Sequence, residues 1–178
     1  MNRRALEHLI RAAADIADDD EIIIIGSQSV LGQFPEAPAA LCVSEEADVY
    51  PKNHPERWDL IDGSIGEGSP FHETFGYYAQ GVEEGTATLP SGWKERLVSI
   101  RNANTRNATG HCIDVHDLVV SKYVAGRDKD RRFARDAARH GIIDKATLLS
   151  RLEDTPISPD QKRKIGDQVA VDFATASR

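Results

Sequence analysis

The chain opens with an amphipathic pattern that changes abruptly to an unbroken run of aliphatic residues. Apolar positions recur at helical spacing through residues 2–16, so one stripe of this segment faces a core. Acidic residues 18–20 end this helix, and the segment from Glu21 to Gly26, with four consecutive isoleucines, predicts a buried strand. Ser27 is a favoured N-cap residue, so we expect a short helix to begin there.

The middle of the chain alternates short strand patterns with turn signals. Residues 47–50 predict a second strand that is stopped by Pro51, residues 58–62 a short helix, and the glycine-rich residues 63–68 a loop. Further strand patterns occupy residues 77–82, 86–89, 97–100 and 111–115. These segments together predict a small antiparallel or mixed sheet.

Helical patterns occupy the chain from His116 onward. Four segments carry them, near residues 118–124, 133–141, 145–152 and 159–174. The predicted fold class is therefore α+β (α/β), a small mixed β-sheet flanked by helices with a C-terminal helical region. We expect residues 1–115 to form the α/β core and residues 116–178 to pack on it as helices, in a single compact unit.

Composition indicates an ordinary globular protein. Hydrophobic residues make up 40% and charged residues 29% of the 178 residues. The longest aliphatic run is far too short to span a bilayer, and the N-terminal segment turns acidic where a signal peptide is apolar, so we expect a cytoplasmic protein with no membrane partner. The net charge of −7 argues against broad nonspecific binding to nucleic acid. The basic segment 127–139 is ordinarily a solvated helix face, and an RNA contact there is the minority alternative.

The most informative residues lie where the first two strands end and begin. Gly26 lets the backbone approach a phosphate closely, and Ser27 with the amides of the following helix can hold its oxygens. Glu46 and Asp48 share one face of a strand because side chains alternate with a period of two. Two adjacent carboxylates repel each other unless a cation joins them, which indicates a divalent metal; the alternative is an acidic, solvated strand edge.

These segments resemble the nucleotidyltransferase superfamily, the polymerase-β-like fold, whose hallmark is a hydrophobic strand, Gly-[Gly/Ser], and then acid-hydrophobic-acid. The chain carries Gly26-Ser27 after the isoleucines and then Glu46-Ala47-Asp48. The segment from His116 to Asp130 also resembles the Lys-(x)n-Arg-x-x-Asp helix pair of the AbiEii and MenT-like nucleotidyltransferases of bacterial toxin–antitoxin systems and of their uncharacterised bacterial relatives.

The resemblance implies a set of roles. Lys122 becomes a ligand of the nucleotide's phosphates, while Arg127 and Asp130 shape the site or pair with each other. Glu46 and Asp48 hold Mg²⁺, and a third carboxylate accepts a proton from the acceptor hydroxyl. Asp114 is the best candidate for that carboxylate, and Asp59 and Asp62 are weaker ones.

The implied reaction is transfer of a nucleoside monophosphate from a nucleoside triphosphate to an RNA, a protein or a small molecule, with a cognate toxin or antitoxin as a further partner. The first acid is Glu46 where the superfamily usually has Asp, which motivates an alternative: a catalytically inactive relative that binds a nucleotide or a partner as a regulator or antitoxin. A third reading is a plain interaction module in which Glu46 and Asp48 face solvent.

Overall fold

The structure, a computed structural model, describes residues 1–176 as two compact units. The first unit comprises residues 1–86 and 97–114, and the second comprises residues 87–96 and the chain from Val115 onward. The elements of the first unit are α1 (Arg3–Ala17), β1 (Glu21–Ile24), α2 (Val30–Gln33), β2 (Glu46–Pro51), α3 (Trp58–Ile65), α4 (Pro70–Phe75), β3 (Tyr78–Gly81), β4 (Val98–Ile100) and β5 (Thr109–Cys112).

The five strands of the first unit form one mixed sheet in the order β3-β2-β1-β5-β4. The central strand β1 is antiparallel to β2 and parallel to β5, while β2 is parallel to β3 and β4 is antiparallel to β5. The α+β class and the mixed sheet that the sequence predicts are therefore confirmed.

Helix α1 covers one face of this sheet. Its side chains Leu6, Leu9 and Ile10 are at most 1% exposed. A Cβ atom placed on Gly110 of β5 would lie 2.3 Å from Cδ1 of Ile10, so a larger residue there would require the Ile10 side chain to move. Ile22 and Ile24 of β1 are fully buried, and Ile23 between them is 3% exposed, which explains why this strand is aliphatic without alternation.

In the middle of the chain, two local predictions were wrong and one helix was not predicted. The strand expected at 86–89 does not form: a 3-10 turn at Glu84–Thr86 is followed by irregular backbone up to Pro90, and Gly85 and Pro90 both oppose a β ladder. The expected loop at 63–68 is shortened because α3 continues to Ile65, which packs one helical turn beyond the buried Ile61. Helix α4 was missed, although Ser69 accepts a hydrogen bond from the His72 backbone and caps it.

The second unit contains the helices α5 (Val115–Ala125), α6 (Asp128–Arg139), α7 (Lys145–Glu153) and α8 (Pro159–Ala176). Asp117 of α5 is fully buried and accepts hydrogen bonds from Nε and an Nη of Arg96 at 2.9 and 3.1 Å, while Nε of Arg151 in α7 lies 3.4 Å away. Tyr123 donates to the Asp172 carboxylate of α8 at 2.9 Å. No helix in the described part of the chain combines the length and the apolar composition needed to cross a membrane.

The Asp19 carboxylate ties the start of the sheet to the segment after β2. It accepts hydrogen bonds from the backbone amides of Glu21, Asn53 and His54 at 3.0, 2.7 and 3.1 Å, and from the Asn53 side chain at 2.9 Å. Burial on its own raises the pKa of Asp19, but these donors outweigh it and hold the pKa below the ordinary value of 3.8. The ionised carboxylate is thus the form that the fold stabilises.

We expect Asp19→Asn to lower the free energy of unfolding at pH 7 by about 1–3 kcal/mol, because an amide offers one acceptor oxygen where a carboxylate offers two. Because the pKa of Asp19 is lower in the folded protein than in the unfolded chain, its ionised form stabilises the fold at pH values above the unfolded pKa. This contribution is lost as the pH falls through the folded pKa. Urea unfolding at pH 7 and near pH 3 should therefore give a smaller difference between wild type and variant at the acid pH. A difference that grows on acidification contradicts this assignment.

Candidate functional site

The Gly-Ser motif and the acid-x-acid motif meet in the first unit. The backbone amide of Ile25 donates to the Asp48 carbonyl at 3.0 Å, so β2 follows β1 to the residue before Gly26. A Cβ atom on Gly26 would lie 1.9 Å from Oδ2 of Asp48 and 2.8 Å from its Cγ. The Asp48 carboxylate therefore occupies the space that a side chain at position 26 would fill.

Glu46 and Asp48 share the sheet face that α1 does not cover. Both are half-buried, whereas Ala47 and Val49 point to the opposite face and are at most 1% exposed. The parallel register pairs Glu46 with Tyr78 and Asp48 with Gln80 of β3, which brings these four side chains to one face. The acid pair thus has neighbours that the spacing of the sequence alone does not identify.

Tyr78 contacts Glu46, and His72 packs on Tyr78. The Tyr78 hydroxyl lies 3.5 Å from Oε2 of Glu46, and burial, followed by the negative charge of Glu46, raises the pKa of Tyr78 to about 12, so the phenol keeps its proton and acts as the donor. The His72 ring centroid lies 4.6 Å from that of Tyr78. Nδ1 of His72 accepts from the Gly68 amide at 3.1 Å, so the neutral ring carries its proton on Nε2, which lies 3.8 Å from Glu45.

Asp114, the predicted third carboxylate, lies beside α2. Its Oδ2 accepts a hydrogen bond from Nε2 of Gln33 at 3.1 Å. Helix α2 packs on the sheet face that α1 covers, where a Cβ on Gly32 would lie 2.6 Å from Cβ of Cys112. The structure therefore places Asp114 just after β5, in contact with α2.

Asp62 lies closer to the row of the acid pair. Its Oδ1 accepts a hydrogen bond at 2.6 Å from Nε2 of Gln80, the residue in register with Asp48. Asp59, the remaining candidate, is exposed on α3. Asp62 is thus in contact with a side chain that lies in register with Asp48.

The segment after Gly26 differs from the expected helix. Ser27 is half-buried and begins a 3-10 turn, Ser27–Ser29, in which the Ser29 amide donates to the Gly26 carbonyl at 3.0 Å. Gly26 and not Ser27 is the capping residue, and the α-helix that follows has only four residues. Any phosphate held here would depend on the Ser27 hydroxyl and local amides, because so short a helix contributes little dipole.

Gln28 is a residue that sequence reasoning missed. Its side chain is fully buried, and within residues 1–176 neither its amide nitrogen nor its amide oxygen has a hydrogen-bond partner. Buried polar groups are rarely left in this state. The only signal in the sequence is its position, two residues after Gly26.

The predicted residues of the helical block form one cluster in the second unit. Nζ of Lys122 lies 3.3 Å from Oδ1 of Asp130 and 5.8 Å from the ring centroid of Phe133, and Nε of Arg127 lies 2.5 Å from Oδ2 of Asp130. Burial raises the pKa of Asp130, yet the two cations outweigh it and hold the pKa below 3.8. Asp130 is 1% exposed, whereas the Arg127 side chain is 60% exposed.

The residues of the acid pair fit a magnesium ion of the kind that shares its coordination with a substrate. No group of three or more His, Cys, Asp or Glu side chains within residues 1–176 is arranged to hold a metal. Mg²⁺ keeps several waters and is commonly bound by one or two carboxylates together with substrate phosphates. Glu46 and Asp48 on one strand face supply that number of ligands.

Contact between Gly26 and Asp48 can be tested through stability. Gly26→Ala should cost about 1–3 kcal/mol because the new methyl group displaces the Asp48 carboxylate. The cost should shrink in an Asp48→Ala background, where the two nearest atoms are gone. Gly63→Ala is the matched control, since a Cβ there meets nothing within 4 Å and should be neutral or stabilising. Equal costs of Gly26→Ala in both backgrounds by urea unfolding would rule out the contact.

The Lys122–Asp130 pair should respond as a buried ion pair. Asp130→Asn leaves the Lys122 charge uncompensated and should cost roughly 3–5 kcal/mol, and Lys122→Met combined with Asp130→Leu should recover part of that loss. Asp160→Asn is the control, because Asp160 also contacts an arginine and a lysine, Arg163 and Lys164, but is 53% exposed; it should cost under about 1 kcal/mol. Equal losses for the two aspartates in thermal unfolding would contradict a buried role.

Comparison with known families identifies one match over nearly the whole chain. Residues 4–175 match the model of a family described as "Nucleotidyltransferase of unknown function (DUF6036)". No curated protein and no solved structure matches the chain.

Proposed function

Because this chain belongs to that family of nucleotidyltransferases of unknown function, we propose that it is a magnesium-dependent enzyme that moves a nucleoside monophosphate from a nucleoside triphosphate to an acceptor. The acceptor classes are an RNA, a protein or a small molecule. The observation that supports this proposal best is the contact between the two motifs, in which the Asp48 carboxylate lies over Gly26.

Each candidate site residue of the first unit then has a proposed chemical role. Glu46 and Asp48 hold the cation, and Ser27 with the neighbouring amides contacts the triphosphate. Magnesium, when bound, neutralises phosphate charge and favours in-line attack by the acceptor hydroxyl. Tyr78, the donor to Glu46, fixes the orientation of that carboxylate. The acceptor hydroxyl forms a bond to the α-phosphorus, the bond between the α- and β-phosphates breaks, and pyrophosphate leaves. The hydroxyl gives up its proton, and we propose Asp114 or Asp62 as the acceptor of that proton, with Asp62 supported by its contact with Gln80.

The cluster of the second unit has a proposed role in holding phosphate. Lys122 is the proposed ligand, and Asp130 holds its ammonium group in place. Arg127, with its exposed side chain, supplies a second cation that Asp130 orients. Service in a toxin–antitoxin pair with a cognate protein partner is a further part of the proposal and rests on the resemblance of these helices alone. A cytoplasmic location is also proposed, and it rests on the composition of the chain.

A labelling experiment tests the proposed activity. Purified protein is incubated with cell extract, Mg²⁺ and each of the four nucleoside triphosphates labelled at the α-phosphate, and at least one should label an acceptor. Glu46→Ala combined with Asp48→Ala should lower the initial rate at least about 100-fold, because removing the ligands of a cation at the phosphates removes several kcal/mol of charge stabilisation. Glu36→Ala with Glu56→Ala changes the net charge equally at exposed positions and should leave the rate unchanged.

Two results would contradict the proposal: no labelled acceptor with any nucleotide, or undiminished labelling by the double variant of the acid pair. Comparison of Asp62→Asn with Asp114→Asn assigns the proton acceptor. Substitution of the true proton acceptor should lower kcat and change the pH profile of kcat, and the other substitution should change neither.

A nucleotide-binding protein without turnover is the second candidate function. It is favoured by Glu46 in the first acid position and by the lack of a three-carboxylate cluster among residues 1–176. Calorimetry with a nucleoside triphosphate and Mg²⁺ separates the two candidates, since binding heat without later product supports the regulator and metal-dependent product formation excludes it.

A further inference from the structure

A groove of about 370 Å³ opens beside α1 on the first unit, on a surface to which neither motif contributes. Its polar lining comes from Asn2, Arg4, His8, Arg11, Tyr77 and Asn104. Positions 4, 8 and 11 recur at helical spacing and so form one stripe of α1. The volume lies at the lower end of the range for small-ligand sites, so the groove suits one unit of a chain and not a duplex.

Charge sets this groove apart from the rest of an acidic protein. The chain has a net charge of −7, yet no carboxylate lines the groove. Arg4 is exposed, Arg11 donates to the Asn104 carbonyl at 2.7 Å, and neither is paired with a carboxylate within residues 1–176. The pKa of His8 is lowered by burial and then by the charges of Arg11 and Arg106, which places a third guanidinium nearby. Uncompensated guanidinium groups around a groove favour an anionic ligand.

Aromatic rings continue the groove on one side. The His8 ring lies 5.1 Å from Phe71, 4.7 Å from Phe75 and 6.0 Å from Tyr77, measured between centroids. Nδ1 of His8 and the Tyr77 hydroxyl are 2.8 Å apart, which fixes both rings. Phe75 is 47% exposed, so an apolar ring face is available to a ligand next to the arginines. Guanidinium groups beside an exposed aromatic ring match a ligand in which phosphates alternate with planar bases.

Other surfaces and ligands fit these observations less well. Helix α6 is also rich in arginine, but Asp128, Asp130 and Asp136 are interspersed along it. An acidic peptide would satisfy the arginines and would leave the exposed ring of Phe75 without a stacking partner.

We propose that this groove binds a segment of single-stranded nucleic acid, with Arg4 and Arg11 contacting its phosphates and Phe75 stacking on a base. Binding at this surface does not require turnover. The groove lies on the α1 side of the edge strand β3, because Tyr77 contacts His8 while the next residue, Tyr78, contacts Glu46 on the opposite face. If the proposed function holds, a strand that passes around this edge is the acceptor; this role rests on the proposed function, whereas strand binding does not.

Fluorescence anisotropy with a labelled single-stranded RNA of about 12 nucleotides, in the absence of Mg²⁺ and nucleotide, tests the proposal. Arg4→Glu with Arg11→Glu should weaken binding at least about tenfold and reduce the slope of log K against log salt by about 1.4, since each lost phosphate contact removes about 0.7 on a single strand. Phe75→Ala should weaken binding by roughly tenfold without changing that slope.

Arg132→Glu with Arg135→Glu provides the control, with the same change of net charge at exposed positions of α6. It should bind within about twofold of wild type at moderate salt, where charges beyond the Debye length are screened. Circular dichroism and Tm establish that each variant is folded. Arg4→Glu alone, at an exposed position, should change the slope by about half as much as the double variant does.

Wild-type affinity in the groove variant, an equal loss in the α6 variant, or equally tight binding of polyglutamate overturns the proposal. A duplex or a mononucleotide that binds as tightly as the single strand also overturns it. Asp48→Ala should bind RNA as wild type does. An inactive protein that binds RNA through Arg4 and Arg11 therefore leaves this inference standing, whereas labelling activity without strand binding overturns this inference alone.

Discussion

Close approach of the Asp48 carboxylate to the backbone of Gly26 is the constraint on which the candidate site depends. Any side chain at position 26 would occupy the position of that carboxylate. The contact exists because β2 runs antiparallel to β1 and follows it to Ile25, so the end of one strand lies beside the middle of the other. A carboxylate pair and a glycine-serine turn thus lie together at the end of β1, where a cation and a phosphate are chemically compatible neighbours.

The two faces of the sheet carry different chemistry, and strand alternation maintains the separation. Ala47 and Val49 face α1 and the core, while Glu46 and Asp48 face away from it. At the edge strand, Tyr77 and Tyr78 repeat this division, one contacting a basic, aromatic groove and the other an acidic pair. Tyr77, immediately before β3, and Tyr78, its first residue, therefore contact two surfaces of opposite charge.

Local patterns predicted the central features of the fold because they depend on neighbours in sequence. The aliphatic run of β1, the alternation through Glu46 and Asp48, and the helices after Val115 are all of this kind. The environment of Asp114 was not predictable in this way, because which face it joins depends on how β5 pairs with β1 and on where α2 packs. The groove beside α1 was missed because its residues come from three distant segments, although each is present in the sequence.

The proposed site requires that Glu46 and Asp48 hold a divalent cation beside Gly26. Paramagnetic broadening of amide NMR signals by Mn²⁺, added with a non-hydrolysable nucleoside triphosphate, measures this directly. The amides of Gly26, Ser27, Ala47 and Val49 should broaden first, and the broadening should disappear in Asp48→Ala. Broadening centred on other residues of the first unit, or unchanged broadening in that variant, would contradict it.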